Sequence, residues 1–397
     1  MSPMATREYL AAMRRRYLRT KSRSEKALIL DEICATCGFH RKHAIRLMGR
    51  RKRGPKRPPE QRGRPSTYRG EELLKPLKKI WLAANLPCSK RLKAIIPLWL
   101  PGYESLVGVL KPEVRKLLLS ISASTIDRLM QHTRLEHTHR GRSVTKPGSL
   151  LRNKIPINTG QWQEHRPGFI EADTVAHCGT SMAGEFALTL DCVDIATGWS
   201  EQRALWGKSD TAVVEQMRAI ERALPFELLG FDSDNGSEFL NHRLFRHFVD
   251  RRQPVQFTRS RAYRKDDNAH VEQKNWTHVR QWLGYDRLDN PEVISALNEL
   301  YENEWRLFHN FYCPSVKLLS KERVGSKTIK RHDSPKTPYQ RILESEHISD
   351  YQKTGLTMIW ENTNPFTLRR AIETRLKKVF RLCYSSPGSD DFRGKLR

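Results

Sequence analysis

From Gly168 onward the hydrophobic pattern switches to strands, and this switch constrains the fold more than any other feature of the chain. Three β-rich runs, PGFIEADTVAH, EFALTLDCVD and WSEQRALW, follow one another across glycine-containing turns, which predicts a meander of antiparallel strands. A helix is then expected from Ser209 to Leu224, with Val213, Val214, Met217 and Ile220 on one face. The strand LLGFDSD, a helix over Asn241 to Arg252, the strand PVQFTRS and a helix from about Asn268 complete the series. The order βββ-α-β-α-β-α describes an α/β layer in which the first three strands are antiparallel and the later ones are joined through helices.

Three acids stand out in that frame. Asp173 interrupts the apolar run FIEADTVA, expected to be the first and central strand, and Asp234 ends the fourth strand just before an Asn-Gly turn. Open α/β sheets gather their chemistry at strand carboxyl ends. Projecting NAHVEQKNWTHVRQWL at about 100° per residue sets Glu272 among Trp276, Val279 and Leu283, with Ala269 and Trp282 further along the same arc. Glu272 is therefore expected inside a buried stripe, where a carboxylate is costly unless paired or metal-bound. A salt bridge to a core arginine is the competing explanation. Three clustered carboxylates repel one another and partly protonate. Two divalent cations remove that conflict, and oxygen donors suit Mg²⁺ or Mn²⁺. Two ions ~3.5–4 Å apart can activate an attacking oxygen and stabilise the leaving oxygen of a phosphodiester.

Charge says what such a site would act on. The 397-residue chain has 71 Lys+Arg against 44 Asp+Glu, a formal net charge of +27, so its expected partner is a polyanion. Nucleic acid comes first, because basic surfaces gain affinity by releasing phosphate counterions. A membrane surface is disfavoured, since the sequence has no apolar run of ~18 residues. The arginine-rich N-terminus lacks an apolar signal core, although an organelle transit peptide has a similar composition. Seven cysteines without a framework spacing suit a reducing compartment. A ribosome- or RNA-associated protein has the same composition.

The flanking segments read as DNA-binding modules and linkers. Residues 1–48 are expected to form three helices. In the third, HRKHAIRLMGR, the side chains of Ala44, Ile45 and Met48 share one side and Lys42, Arg46 and Arg50 the other. A helix, a Gly turn and a basic helix make a helix-turn-helix pattern, or else an ordinary hairpin with a solvated face. Cys34, Cys37, His40 and His43 are too closely spaced for a finger-type zinc site. Residues 49–70 are a basic linker in which Gly63-Arg64-Pro65 has the form of a minor-groove hook. Residues 71–136 form a second helical block, with Ser122 as an N-cap before SASTIDRLMQHTR, and 137–164 a second linker. The core is expected at 165–325. Residues 326–397 are expected to form a basic C-terminal domain in which Leu368, Ile372 and Leu376 recur at helical spacing, suited to DNA or to another subunit.

IEADTV, SDNGSEF and NAHVEQKN resemble, in order, the three blocks of the DDE transposases of the retroviral-integrase superfamily, over about residues 165–315. HRKHAIRLM, GYDRLDNPE and YCPSVKL are similar to bacterial insertion-sequence transposases of that superfamily. The resemblance implies an RNase H-like fold and an Asp-Asp-Glu triad at Asp173, Asp234 and Glu272, which would be both catalytic residues and metal ligands. The last two are separated by 37 residues, slightly more than in the retroviral pattern, a difference that fits loop variation around Arg264 to Asp267. The implied activity is a transposase that cleaves 3′ ends at inverted terminal repeats and joins them to target DNA. Its implied setting is a homo-oligomer on double-stranded DNA in the bacterial cytoplasm, associated with the nucleoid and with two Mg²⁺ or Mn²⁺ ions. A DNA-binding regulator or inactive domesticated transposase, and an RNase H-fold nuclease without strand transfer, are the alternatives.

Weaker candidates surround the triad. Arg264 and Lys265 are expected to contact phosphate. His177 shares a strand face with Asp173, His270 and Asn275 lie within a turn of Glu272, and Asn235 either orients Asp234 or only forms the turn. Asp191 and Asp194 are alternative ligands, and Asp232 is expected to be a supporting acid rather than a ligand.

Overall fold

A computed structural model describes residues 2–49, 67–68, 70–135, 165–234, 236, 238–260, 269–324 and 327–384. The N-terminal unit, Met1–Thr67, contains α1 (Pro3–Arg19), α2 (Arg23–Cys37) and α3 (Arg41–Gly49). The side chains of Ser2 and Ser22 cap the first two, each accepting a backbone N–H three residues on, which satisfies a donor left open at a helix start. Gly38 ends α2 in the left-handed conformation (φ 68°), where a Cβ would be strained. Met13, Ile29, Leu30, Ile33, Ala44 and Met48 close a small core. Ile45 departs from the projected face and is 45% exposed. Lys42 and Arg46 are exposed on α3 as expected, whereas Arg50 and Arg64 lie outside the described residues.

The second unit, Tyr68–Arg397, opens with α4 (Glu71–Ala83), α5 (Ser89–Val107), α6 (Pro112–Ser120) and α7 (Ala123–Leu135). The sheet strands are β1 (Phe169–Ala176), β2 (Ala187–Asp194), β3 (Ser200–Trp206), β4 (Gly230–Ser233) and β5 (Gln256–Arg259). Between β3 and β5 come α8 (Asp210–Ala223) and α9 (His242–Val249), capped by Ser209 and Asn241. After β5, α10 (Ala269–Lys274) runs through a π-helical stretch, Asn275–Arg280, into α11 (Gln281–Leu283). Then come α12 (Glu292–Leu300), a second π stretch at Tyr301–Trp305, and α13 (Arg306–Tyr312). A hairpin of β6 (Leu318–Val324) and β7 (Lys327–His332) leads to α14 (Pro338–Glu344), α15 (Asp350–Glu361) and α16 (Pro365–Tyr384).

The five strands lie in the order β3-β2-β1-β4-β5. β1, β2 and β3 are antiparallel neighbours, while β4 pairs parallel to β1 and β5 parallel to β4. This mixed sheet with helices on it fits the RNase H-like arrangement that the sequence resemblance implies. Alternation along the strands divides the two faces. Ile170, Ala172, Leu190, Cys192, Phe231 and Phe257 pack with residues of α8 and α9, so Glu171, Asp173, Asp232 and Asp234 point to the other side.

The segments expected as a separate helical block and a separate C-terminal domain share one hydrophobic core with the helices on that other side. Trp99 of α5 is fully buried, meets Phe308, Tyr312 and Phe366 edge-on, and donates its Nε1–H to the Tyr312 carbonyl at 3.2 Å. Burying a large apolar side chain contributes about 2–3 kcal/mol, and the indole N–H keeps its partner. Leu368, Ile372 and Leu376 of α16 are buried in the same cluster. The core of the sheet is thereby braced from both chain directions.

Candidate active site

Register brings the two aspartates together. Ala172 of β1 stands beside Ser233 of β4, so Asp173 and Asp234 follow as side-by-side neighbours at the end of the parallel pairing. Burial, and then the charge of Asp234, pushes the Asp173 carboxyl up to about 8. Burial likewise raises Asp234 to about 6, with Glu238 adding to the rise and Lys208 opposing it. Each carboxylate is oriented by donors. The Thr174 N–H and Asn275 Nδ2 reach Asp173 at 2.7 and 2.6 Å, and the Gly236 N–H reaches Asp234 Oδ1 at 2.8 Å.

One row behind them lies a second acidic pair, Glu171 beside Asp232. Asp232 is buried and accepts the hydroxyl of Thr258, its register neighbour on β5. Glu171, 5% exposed, accepts the backbone N–H groups of His270 and Val271 at 3.0 and 3.2 Å. Those donors belong to the first turn of α10, whose N–H groups have no partner within the helix. Glu171 therefore fastens the helix that carries Glu272 and Asn275 to the central strand. Its carboxyl is pushed up to about 8, first by burial and then by the charge of Asp232, while the two N–H groups pull it down.

Glu272 does not sit in the buried stripe expected for it; it is exposed, while its neighbour Val271 is fully buried. The reason lies in the π stretch at Asn275–Arg280. A π turn holds one residue more than an α turn, which sets the helical phase back by about 100°. Val279 and Leu283, both buried, consequently stack over Val271 rather than over Glu272. Glu272 still lies three residues before Asn275, adjacent on the helix surface, and Asn275 touches Asp173. Among the described residues, no three His, Cys, Asp or Glu side chains converge on one metal-sized point. Asp173 and Asp234 adjoin, and Glu272 stands one turn off.

Two further residues enter the site that sequence reasoning passed over. Glu238, four residues beyond Asp234, is buried and accepts Thr174 Oγ1 at 2.7 Å and Lys208 Nζ at 3.1 Å. Lys208 follows β3, with its side chain 47% exposed. Gly236 is pinched between the two acids: a Cβ there would lie 2.8 Å from Asp234 Oδ1 and 3.0 Å from Glu238 Oε2.

The remaining candidates divide clearly. Asp191 is the register partner of Asp173, is fully buried, and accepts Gln202 Nε2 at 2.7 Å. The buried ammonium of Lys274 faces it, brought down to about 8 by desolvation although Asp191 opposes the fall. Asp194 builds a turn, accepting the N–H groups of Gly168 and Thr197 and the Thr197 hydroxyl. His177 Nε2 is engaged by Thr189 at 2.8 Å, and Thr189 by Tyr301. Asn235, Arg264 and Lys265 lie outside the described residues. The acids on β1 and β4, with Glu238 and Glu272, offer oxygen donors, and Lys208 pairs with Glu238 beside them. A hard divalent cation fits such a donor set, and Asp173 and Asp234 are the adjacent pair that could hold it.

No family model matches the chain. Among solved structures, the catalytic core domain of BIV integrase is similar to it at 17% identity and a TM-score of 0.28, over 45% of this chain and 96% of that one. The uncharacterized protein y4rM of Sinorhizobium fredii (strain NBRC 101917 / NGR234) is 40% identical over 341 residues, which is 85% of this chain and 95% of the relative. The protein thus belongs to the same family as y4rM.

Proposed function

We propose that this protein is a DDE-type polynucleotidyl transferase, a transposase that nicks DNA at inverted terminal repeats and joins the freed 3′ end to target DNA. The observation that carries this reading is the pairing of Asp173 and Asp234 through the β1–β4 register, next to a helix whose Asn275 holds Asp173. Divalent metal, Mg²⁺ or Mn²⁺, would be held by Asp173 and Asp234, with Glu272 one turn away as the third ligand. When bound it supplies Lewis-acid activation of the attacking and leaving oxygens of an in-line displacement. The chain's own groups do the positioning. Asn275 and the Gly236 N–H aim the two carboxylates, Glu171 anchors the helix of Glu272, and Lys208 stands at the rim where a phosphate would approach.

The +27 charge supports duplex DNA as substrate, and α3, with Lys42 and Arg46 exposed, is the element proposed to read the terminal repeats. Pairing of two element ends requires a homo-oligomer on DNA, working at the bacterial nucleoid. No helix among the described residues is long and apolar enough to cross a membrane. That no third acid converges on Asp173 and Asp234 among the described residues favours, as a second reading, a DNA-binding protein or nuclease that lacks strand transfer.

Incubation with Mg²⁺ and labelled DNA carrying the element's ends separates the readings. Nicked and joined products are expected from the wild type, and a loss of ~10³-fold or more from Asp173→Asn, Asp234→Asn and Glu272→Gln. Equal activity in the three variants would sink the triad. Nicking without joining would leave the nuclease.

A further inference from the structure

A cavity of about 410 Å³ lies between the α4–α5 loop, α10 with its π stretch, and the end of α13, a volume typical of small-molecule sites. Lys90 and Arg91 of α5 and Lys274 of α10 line it, and no acid does among the described residues. Arg91 is half-buried and makes no hydrogen bond or ion pair among the described residues; its charge and that of Lys274 repel each other. Lys274 is 4% exposed, and His278 Nε2, at 3.1 Å, is the one hydrogen-bond partner its ammonium has among the described residues. Asp191 acts on Lys274 through space from β2 and is hydrogen-bonded elsewhere, to Gln202. A buried ammonium with donors to spare is costly until an acceptor reaches it.

The neighbouring imidazoles add donors rather than charge. Lysine only donates, so His278 Nε2 accepts from Lys274; the Nδ1–H then donates to Thr277 Oγ1 at 2.9 Å, and that hydroxyl to the Gln273 carbonyl at 3.1 Å. His309 stacks on His278 with ring centroids 3.9 Å apart, and both of its ring nitrogens are buried without a partner. Such orphaned groups are rare in a settled interior. Across the cavity the α4–α5 loop is strained: Asn85 and Leu86 have φ of 62° and 59°. That region is uncommon for residues other than glycine, and such strain clusters at ligand clamps. The Leu86 N–H donates to the Trp81 carbonyl and Trp81 Nε1–H to that of Pro87, so the rim is formed in advance.

Three cations without an acid match more than one negative charge. A phosphate monoester carries about −1.5 to −2 near neutral pH, a carboxylate about half of that, and arginine and lysine both bind phosphate well. Ile95, Trp282 and Val316 form an apolar wall for the group that bears the phosphate. We propose that this cavity binds a small phosphate monoester with a flat apolar body, of nucleoside monophosphate size, its phosphate between Arg91 and Lys274. A free nucleotide and the 5′-phosphorylated end of a DNA strand share that chemistry. Lys274 precedes Asn275, which holds Asp173, so an occupant would brace the helix of the candidate active site.

Titration calorimetry of the full chain with adenosine 5′-monophosphate, in EDTA so that no metal bridges the phosphate to Asp173 and Asp234, should give saturable binding at one site. Adenosine, which lacks the phosphate, should bind at least ~10-fold more weakly. Arg91→Gln and Lys274→Gln should each weaken the nucleotide by about 10-fold or more, the usual effect of losing a hydrogen bond to a charged group. Lys116→Gln, the same loss of charge on the exposed surface of α6, should bind as the wild type does. Amide exchange at residues 273–278 should slow when the nucleotide is added. If Lys274→Gln does not fold, Arg91→Gln, at a half-buried position, decides the matter alone. Competition separates the two sources. A 5′-phosphorylated oligonucleotide that displaces the nucleotide where its 5′-hydroxyl counterpart does not supports the site as one for strand ends, and displacement by neither supports a free nucleotide. Equal displacement by both overturns the monoester. No saturable binding, wild-type affinity in Arg91→Gln, or equal weakening in Lys116→Gln overturns the proposal as a whole.

Discussion

Replacing Glu171 by glutamine separates two jobs that this carboxyl performs in the metal-free protein. The amide oxygen of Gln still accepts the His270 and Val271 N–H groups, but the side chain no longer ionises. Burial holds the native carboxyl at about 8 against an ordinary 4.5, so between those values the folded chain keeps a proton that the unfolded chain has released. Stability must then fall as pH rises across that window, and the loss is complete above the folded value. At about 1.4 kcal/mol per pH unit, the span from 4.5 to about 8 is on the order of 5 kcal/mol. Asp173, also near 8, and Asp234, near 6, act in the same direction. Urea unfolding in EDTA from pH 5 to pH 9 should therefore show Glu171→Gln gaining on the wild type as pH rises. Glu171→Ala should instead lie below Glu171→Gln throughout, by about 2–4 kcal/mol, because two N–H groups lose their acceptor. Amide exchange at residues 270 and 271 should quicken in Ala and not in Gln. Superimposable pH profiles for wild type and Glu171→Gln would refute the argument, since the buried carboxyl would then not be titrating in this range.

Two more outcomes follow from the same geometry. Gly236→Ala puts a Cβ 2.8 Å from Asp234 Oδ1; the carboxylate must move, and cleavage should drop by at least ~10-fold with DNA affinity unchanged, whereas undiminished cleavage would remove Asp234 from the chemistry. Mg²⁺ binds ionised carboxylates, so it should raise the thermal midpoint more at pH 8 than at pH 6, and Asp173→Asn should abolish the difference in a calorimetric scan.

The strands were legible because their alternation is local. Ile170, Ala172 and Phe231 turn to one face, and Glu171, Asp173 and Asp232 to the other, as period-two patterning dictates. The pairing of Asp173 with Asp234 was legible through the order of the strands. The second row was half visible: Glu171-Ala-Asp173 and Asp232-Ser-Asp234 repeat the same spacing on two strands, but only the register shows that Glu171 adjoins Asp232. Long-range packing was not legible. Nothing local to Trp99 announces that its indole will reach the Tyr312 carbonyl and tie the helical block to the core.

Glu272 shows why periodicity misleads at a site of this kind. Counting at 100° per residue assumes that every turn is α-helical, and the run from Asn275 to Arg280 is not. π stretches are uncommon and concentrate where function displaces a helix from its ideal path. Here the extra residue has a double effect. It releases Glu272 from the apolar stripe, so that the carboxylate can face an ion or a substrate without the cost of burial. It also leaves Asn275 against Asp173, which keeps the exposed acid tethered one turn from the paired aspartates. An α-helical version of the same segment would bury Glu272 over Val279 and Leu283, where an unpaired carboxylate is costly. The irregular turn, rather than the apolar stripe, is what places an acid at this position without the cost of burial.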